Sequence, residues 1–312
     1  MILTITADSA LDKVIFFEEF KPTTVMRTRR VVESVGGKGF DASVVLQALG
    51  VDNLAIGLVA GETGHRLAGL LECYGICHDL VWAQGDTRTA HVIVETRLHR
   101  HSHITTGGYS VSPVEVQALL SRCRCHIKTT QRVVCAGSLP EGMPRDFYRT
   151  VTNLAHQAGI PTLIDCPGEP MLQALPEKPD IVKMNRCELS QTFGIAGNSL
   201  AELATQVQRL CRREDLPALV VTCGEKGILA ITGQGSYRAI VPSQEEVNAA
   251  GAGDAVSAAL AWRLSLRETW QQALRWAAAA SAAVVLTEGT ADCRLSDVER
   301  IYTQAKVHEL CG

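Results

Sequence analysis

Short apolar runs rich in valine, isoleucine and leucine recur along the chain, and helical patterns lie between them. The apolar runs cover residues 1–6, 54–58, 132–136, 162–165, 181–184 and 218–222. The helical patterns cover residues 40–49, 65–74, 146–158, 200–212 and 254–264. Continuous apolar runs are typical of strands buried on both faces. Their alternation with helices predicts a doubly wound, mostly parallel α/β sheet with helices on both faces.

Two stretches break this rhythm. Residues 13–32 and 89–106 have alternating or β-branched positions with charges between them, and neither is followed by a helix. They predict a small separate β-sheet near the ligand crevice, a position that suits a lid over a substrate. Decorative edge strands are the alternative. Because no low-complexity linker or repeat is evident, we expect residues 1–312 to form a single domain with this β-sheet lid.

Composition narrows the classes of partner. The chain has 312 residues, 46% of them hydrophobic and 20% charged, with a net charge of −3. This near-neutral balance argues against nucleic acid or a membrane surface as the main partner. No apolar run approaches the roughly 20 residues that span a bilayer. The apolar residues 1–5 predict a first strand instead of a signal peptide, so we expect a cytoplasmic protein.

The sharpest chemical signal is the motif Ala250-Gly251-Ala252-Gly253-Asp254, which opens an alanine-rich helix. Small residues leave backbone N–H groups accessible at a helix N-terminus, where the helix dipole favours a phosphate or an oxyanion. Asp254 is placed to accept a proton from an attacking hydroxyl group. The alternative is a turn of small residues with Asp254 as an ordinary N-cap.

A second glycine turn, Gly36-Gly37-Lys38, also opens a helix. Two glycines permit close approach of the backbone to a ligand, and Lys38 adds a positive charge. The turn is not a P-loop, because the spacing and the Gly-Lys-Ser/Thr ending of that motif are absent. A plain helix-entry turn is the alternative.

Two predicted strands end in polar motifs. Asn185 and Glu188 follow the strand at 181–184, and their spacing puts them on one face of a helical turn. Their oxygens suit phosphate contacts and water-mediated contacts to Mg²⁺, although a solvated helix start explains them equally well. The 222–227 loop lies at the edge where open α/β sheets bind ligands, with a hairpin turn as the alternative.

Taken together and in this order, these motifs resemble the PfkB family of carbohydrate kinases, which have the ribokinase-like fold. Residues 6–12 (Thr-Ala-Asp-Ser-Ala-Leu-Asp) resemble the family's Asn-Pro-Ala-Leu-Asp segment. Residues 136–142 (Ala-Gly-Ser-Leu-Pro-Glu-Gly) resemble its Ser-Gly-Ser-Leu-Pro-Pro-Gly segment. Both point to the 1-phosphofructokinase and tagatose-6-phosphate kinase branch. The resemblance covers nearly the whole chain and implies a kinase that uses ATP and Mg²⁺.

The resemblance also implies roles for individual residues. The implied catalytic group comprises the base Asp254 and the anion hole Gly251, Ala252 and Gly253. The implied substrate positions are Asp12, Gly36, Gly37, Lys38, Asp41 and Ser138, with Arg27, Arg88 and the lid residue His103 on the side of a substrate phosphate. For Mg²⁺, bound through water, the implied positions are Asn185 and Glu188. For ATP they are Thr222, Gly224, Lys226 and Gly227, with Ser281 near the adenine. Lid strands in this family often pair between subunits, so the resemblance implies a homodimer.

Three departures from the family pattern lie on the sugar side. Asp41 and Asp8 each stand where the family usually has Asn, and His103 stands where relatives often carry a basic lid residue. An ionised Asp only accepts hydrogen bonds, and it repels a sugar phosphate unless a cation such as Lys38 pairs with it. The reaction type is therefore expected to be retained. The leading acceptor is fructose 1-phosphate, tagatose 6-phosphate or a close relative. A free sugar or a nucleoside is the alternative acceptor. The alternative class of protein is a catalytically silent sensor that binds a sugar phosphate.

Overall fold

The computed structural model describes residues 1–197 and 199–310. Its strands are β1 (Ile2–Thr6), β2 (Ala10–Phe17), β3 (Val31–Gly36), β4 (Asn53–Ala60), β5 (Cys77–Ala83), β6 (Arg88–Glu95), β7 (Arg100–Thr105), β8 (Arg132–Ala136), β9 (Thr162–Asp165), β10 (Ile181–Asn185), β11 (Ala218–Thr222), β12 (Ile228–Thr232), β13 (Gly235–Ile240) and β14 (Lys306–Glu309). Its helices are α1 (Lys38–Ala48), α2 (Gly61–Cys73), α3 (Pro113–Ile127), α4 (Phe147–Gln157), α5 (Glu169–Ala174), α6 (Arg186–Phe193), α7 (Leu200–Glu214), α8 (Ala252–Ser265), α9 (Trp270–Val284) and α10 (Leu295–Gln304). All strands and helices predicted from the pattern are present.

A large sheet of ten strands forms the centre of the molecule, in the order β14-β13-β12-β11-β10-β9-β8-β1-β4-β5. The strands from β11 to β5 pair in parallel, and β12, β13 and β14 extend the sheet with antiparallel pairs. One face packs against α3, α4 and α7, and the other against α1, α8 and α9. All residues of β1 and β4 are buried, as continuous apolar runs predict for a sheet covered on both faces. The doubly wound prediction is confirmed.

The register of the parallel strands brings their carboxyl ends to one edge. Thr6 of β1 lies beside Ala136 of β8, and Ala136 lies beside Asp165 of β9. Asn185 of β10 lies beside Thr222 of β11. Because open α/β sheets bind ligands outside this edge, the motifs that follow these strands are positioned to share one crevice.

A second sheet of four strands, in the order β3-β2-β6-β7, stands apart from the large sheet. We call it the small sheet; β2 and β6 pair in parallel, while β3 and β7 pair with them antiparallel. The two stretches that broke the helical rhythm form it, so the prediction of a separate sheet is confirmed. Its outer strand β7 is exposed along its whole length. No helix in the described residues is long and apolar enough to cross a bilayer.

Candidate active site

The turn that opens α8 presents backbone donors to the crevice. Gly251 is the N-cap residue with a φ of 83°, and a Cβ atom there would lie 2.4 Å from the Ala291 nitrogen, so only glycine fits. Ala252 donates its N–H to the Ala249 carbonyl. In the described part of the chain, no backbone carbonyl accepts from the N–H of Gly251 or Gly253. These donors at a helix start are suited to an anion.

Asp254 is the third residue of α8, so its alternative interpretation as the N-cap is wrong. The side chain is only 7% exposed, and its Oδ1 atom has no hydrogen-bond partner among the described residues. Burial raises the pKa of Asp254 to about 7, with Lys183 and Lys38 opposing this effect and Asp165 adding to it. A buried carboxyl group with an available oxygen and a pKa near neutrality is suited to accept a proton.

A buried ionic network lies beneath this turn. Asp165, at the end of β9, accepts hydrogen bonds from Lys38 Nζ (2.8 Å), Lys183 Nζ (2.7 Å) and Ser257 Oγ (2.9 Å). Burial alone would raise the pKa of Asp165, but Lys183 and Lys38 lower it to about 2. Asp165 therefore stays ionised and anchors two ammonium groups beside the start of α8.

Lys183 lies directly under the anion-hole turn, because a Cβ atom on Gly253 would be 3.0 Å from Lys183 Nζ. The sequence motifs did not indicate Asp165, Lys183 or Ser257 as site residues. The sequence does contain a sign of Asp165 and Lys183, because each of these charged residues lies in an apolar run that was predicted to be a buried strand. A charge buried in a sheet is costly unless it is paired, so such a position indicates an ionic network.

Asn185 and Glu188 form a reciprocal cap on α6. The Asn185 Oδ1 atom accepts from the Glu188 N–H at 2.9 Å, and Glu188 Oε2 accepts from the Asn185 N–H at 2.8 Å. Glu188 Oε1 accepts from Lys38 Nζ at 2.6 Å. Both carboxylate oxygens of Glu188 are thus engaged, and no group of three or more acidic, histidine or cysteine side chains in the described residues could hold a metal. A carboxylate oxygen that accepts one hydrogen bond can accept another, so Glu188 could contact a magnesium ion through the water bound to that ion.

The predicted ATP loop connects β11 to the antiparallel strand β12. It is therefore a hairpin connection, as in the alternative interpretation, and it also begins at the carboxyl edge beside Asn185. Gly224 and Lys226 are exposed there. Ser281 is half-buried on the last turn of α9, and no described hydrogen bond joins it to the 222–227 loop.

Asp12, on β2 of the small sheet, faces the crevice from the other side. It is 8% exposed, and its Oδ2 atom accepts from Thr290 Oγ1 at 2.8 Å. A Cβ atom on Gly36 would lie 2.2 Å from Asp12 Oδ1, so Gly36 makes room for the carboxyl group. Burial raises the pKa of Asp12 to about 6, with Thr290 and Arg88 opposing it.

Asp41, on α1, is buried, and its Oδ1 atom has no partner among the described residues. Burial, followed by the charges of Asp254 and Asp12, raises the pKa of Asp41 well above its usual value. Lys38, the cation that could have paired with Asp41, instead forms ion pairs with Asp165 and Glu188. A protonated Asp41 donates a hydrogen bond, as the Asn usual in the family does.

The basic residues predicted to face the acceptor differ in their exposure and in their ion pairs. Arg88 forms an ion pair with Asp8 (Nε to Oδ1, 3.1 Å), and Asp8 Oδ2 accepts from Ser138 Oγ at 2.6 Å. Arg27 lies in the exposed segment between β2 and β3 and forms no ion pair with a described residue. Partial desolvation, followed by the charge of His101, lowers the pKa of His103 on β7.

Comparison with known proteins agrees with this geometry. Residues 2–297 match the family model described as pfkB family carbohydrate kinase. The chain therefore belongs to this family and is an ATP-dependent carbohydrate kinase, as the motifs predicted.

Three solved structures are similar over nearly the whole chain. A candidate phosphofructokinase from Staphylococcus aureus is 26% identical, with a TM-score of 0.80 and 100% of both chains covered. A candidate 1-phosphofructokinase from Thermotoga maritima is 22% identical, with a TM-score of 0.90 and 100% of both chains covered. Phosphofructokinase-2 from Escherichia coli, in complex with fructose-6-phosphate, is 23% identical with a TM-score of 0.86; the match covers 97% of this chain and 98% of that one.

Proposed function

We propose that the protein transfers the γ-phosphoryl group of ATP to a hydroxyl group of a hexose phosphate of the fructose 1-phosphate or tagatose 6-phosphate type. One observation carries the proposal. Within the described part of the chain, Asp254 Oδ1 is buried without a partner, and it lies within one turn of the Gly251 and Gly253 N–H groups, which have no backbone acceptor there. A base for the hydroxyl proton and donors for the transferred group thus occupy a single helix start.

The proposed transfer is a direct in-line displacement. The acceptor oxygen attacks the γ-phosphorus, an O–P bond forms, and the bond from phosphorus to the bridging oxygen of ADP breaks. The hydroxyl proton passes to the Asp254 carboxylate, and ADP leaves with the electron pair of the broken bond. Such a reaction depends on positioning and charge neutralisation more than on covalent catalysis.

The donors for the nucleotide side come from strand ends and helix starts at the carboxyl edge of the large sheet. The N–H groups of Gly251, Ala252 and Gly253 and the ammonium groups of Lys183 and Lys38 would stabilise charge on the transferred phosphoryl group. Mg²⁺, held through water by Asn185 and Glu188, would neutralise further phosphate charge. The ATP-binding group would consist of Thr222, Gly224, Lys226 and Gly227, with Ser281 near the adenine.

The acceptor would bind between the two sheets. Asp12 and Asp41 would bind sugar hydroxyls, with Gly36, Gly37 and Ser138 allowing close approach. The phosphate would face Arg88, and Arg27 and His103 would approach it from the small sheet. A protonated Asp41 removes a negative charge that would otherwise repel the phosphate. The fructose-6-phosphate complex of the Escherichia coli protein supports a ketohexose phosphate as the acceptor.

We further propose that residues 1–312 act as one cytoplasmic kinase domain, with the small sheet as its lid and as a homodimer contact. The exposed apolar side chains of Val31 and Ile104 on the small sheet, and of Val25 in the segment between β2 and β3, support the contact. One observation favours a second acceptor class, a free sugar or a nucleoside: Arg88 is already paired with Asp8, so less of its charge is available to a phosphate.

The test measures ADP release with Mg-ATP across ketohexose phosphates (including fructose 6-phosphate), free sugars and nucleosides. Asp254→Asn removes the base, and Asp52→Asn is the matched control on an exposed carboxyl group. Turnover on one hexose phosphate, lost only in Asp254→Asn, supports the proposal. Turnover only on unphosphorylated acceptors selects the second class. ATP binding without turnover on any acceptor contradicts the proposed reaction and favours a sugar-phosphate sensor.

A further inference from the structure

A second pocket lies at the opposite edge of the large sheet and has a volume of about 450 Å³. The first residues of β8, β10 and β11 line it, together with the turn between α8 and α9. Helix α8 runs from the anion-hole turn to this pocket, and its 14 residues span about 20 Å. The pocket is therefore separate from the active site, and its volume lies in the range of small-molecule sites.

Arg132, the first residue of β8, is the unusual member of the lining. It is only 7% exposed, and its Nε and Nη1 atoms have no hydrogen-bond partner among the described residues. Arg132 lies two residues from Val134, which packs in the core against α8 and α9. Side chains two positions apart in a strand point to the same face, so Arg132 is also on the face of the sheet that α8 and α9 cover. Buried donors are normally satisfied, so an unpartnered guanidinium in a pocket wall indicates a missing acceptor.

The acidic residues of the lining do not supply that acceptor. Asp180 accepts from the Thr162 N–H at 2.8 Å and lies 3.0 Å from His156 Nε2. Glu268 accepts from Arg263 Nη1 at 3.0 Å. Both carboxylates thus have hydrogen-bond partners of their own. The charge of Asp180 acts on Arg132 at a distance, but among the described ion pairs neither carboxylate is joined to Arg132.

A second cation of the lining, Arg267, is available to a ligand. Arg267, on the turn between α8 and α9, is exposed and forms no ion pair with any residue of the described chain. Leu264 and Trp270 complete the wall with apolar and aromatic surface. A guanidinium group matches the oxygens of a phosphate or a carboxylate, and an indole ring packs against an apolar body.

We propose that this pocket binds a small organic anion, a phosphate monoester or a carboxylate, whose charged group contacts Arg132 and Arg267 and whose apolar part packs on Leu264 and Trp270.

Isothermal titration tests this, with inorganic phosphate, phenyl phosphate and benzoate as probes. A saturating, non-transferable ATP analogue is present, so that anions do not bind at the anion-hole turn. We expect phenyl phosphate or benzoate to bind with one site per chain and more tightly than inorganic phosphate, which lacks an apolar part. The tighter of the two identifies the anion as a phosphate ester or a carboxylate.

Variants locate the binding. Arg267→Ala removes one cation, and Gln234→Glu adds a negative charge to the exposed wall without changing side-chain size. Each should weaken binding about tenfold or more, because a charged hydrogen bond is lost or opposed. Arg124→Ala removes the same charge from an exposed position on α3 and should leave binding unchanged.

Both test positions are at the surface, so kinase activity and thermal unfolding should match those of wild type and show that the variants fold. If Arg132→Gln also unfolds at the wild-type temperature, its anion binding tests the role of the Arg132 guanidinium directly. Absence of saturable binding of every probe at millimolar concentration overturns the proposal, as does equal binding in Arg267→Ala, Gln234→Glu and wild type.

Discussion

The two sides of the crevice are built differently. On the proposed phosphoryl-transfer side, Asp165 joins Lys38, Lys183 and Ser257 in one hydrogen-bonded network at the carboxyl edge of the large sheet, beside the Asp254 Oδ1 atom, which has no partner among the described residues. On the proposed acceptor side, Asp12 and Asp8 have separate partners, Thr290 and Arg88, and Asp41 has a buried oxygen without a partner among the described residues. The basic residue Arg27 lies there in an exposed segment.

This difference indicates where the protein can vary. The transfer side depends on the register of parallel strands buried on both faces, so a shift there would disturb the whole core. The acceptor side depends on a small sheet with an exposed outer strand, where loops tolerate change. The three departures from the expected family pattern lie on the proposed acceptor side: His103 is on the small sheet, Asp8 precedes it, and Asp41 faces it from α1.

The largest effect is expected at Asp254. Without its base, Asp254→Asn should lower kcat by about 10²–10⁴-fold, measured as ADP release. In wild type, kcat/KM should rise with pH through about 7, because burial raises the pKa of Asp254 to about 7 and only the ionised form accepts a proton. A rate in Asp254→Asn within a few fold of wild type would contradict the assignment of the base.

Stability provides the control for this variant. Between pH about 4 and about 7, Asp254 is protonated in the folded state but ionised in the unfolded state. Wild type therefore loses stability as pH rises through this window. Asn does not titrate. Asp254→Asn should therefore melt at a higher temperature than wild type at pH 8, and this gain should shrink as pH falls towards 4.

The next effect is on stability, at the centre of the transfer side. Asp165→Ala leaves Lys183 and Lys38 without their shared partner and should lower the free energy of unfolding by about 3–5 kcal/mol in urea titrations. Asp215→Asn is the control, since the ion pair of Asp215 with Lys178 is exposed and should change nothing measurable. Equal effects of the two substitutions would mean that the network does not hold the site.

Arg88 tests the acceptor side. Arg88→Ala should raise KM for a phosphorylated acceptor by about 10- to 100-fold with little change in kcat, because a charged contact to bound substrate is lost. Arg27→Ala is the comparison from the exposed segment and should have the smaller effect. If KM for an unphosphorylated acceptor rises equally in Arg88→Ala, Arg88 does not recognise the phosphate.

The smallest effect is expected from Asp41→Asn. Because burial raises the pKa of Asp41 well above its usual value, the carboxyl group keeps its proton to a higher pH than an exposed aspartate and ionises as pH rises further. KM of wild type for a hexose phosphate should then rise a few fold towards alkaline pH, while KM of Asp41→Asn stays constant. Asp52→Asn, on an exposed carboxyl group, should follow wild type. Parallel profiles for Asp41→Asn and wild type would show that Asp41 does not face the acceptor.

Much of the fold was predictable from local pattern. The strands β8, β9 and β11 have the predicted bounds, because a buried parallel strand is a continuous apolar run. Helix α3 was not predicted, although Ser112 and Glu115 form a capping box that its sequence shows. Local patterns of this kind report on a single element and its neighbours in the chain.

The sequence by itself determined the reaction class, because the glycine turns and Asp254 are contiguous motifs whose geometry is local. Only the tertiary structure decided the charge states. Lys38 is bound to Asp165 and Glu188, 127 and 150 positions along the chain, and not to Asp41. Protonation and ion pairing depend on burial and on distances between remote segments, and both arise only when the strands are assembled into a sheet.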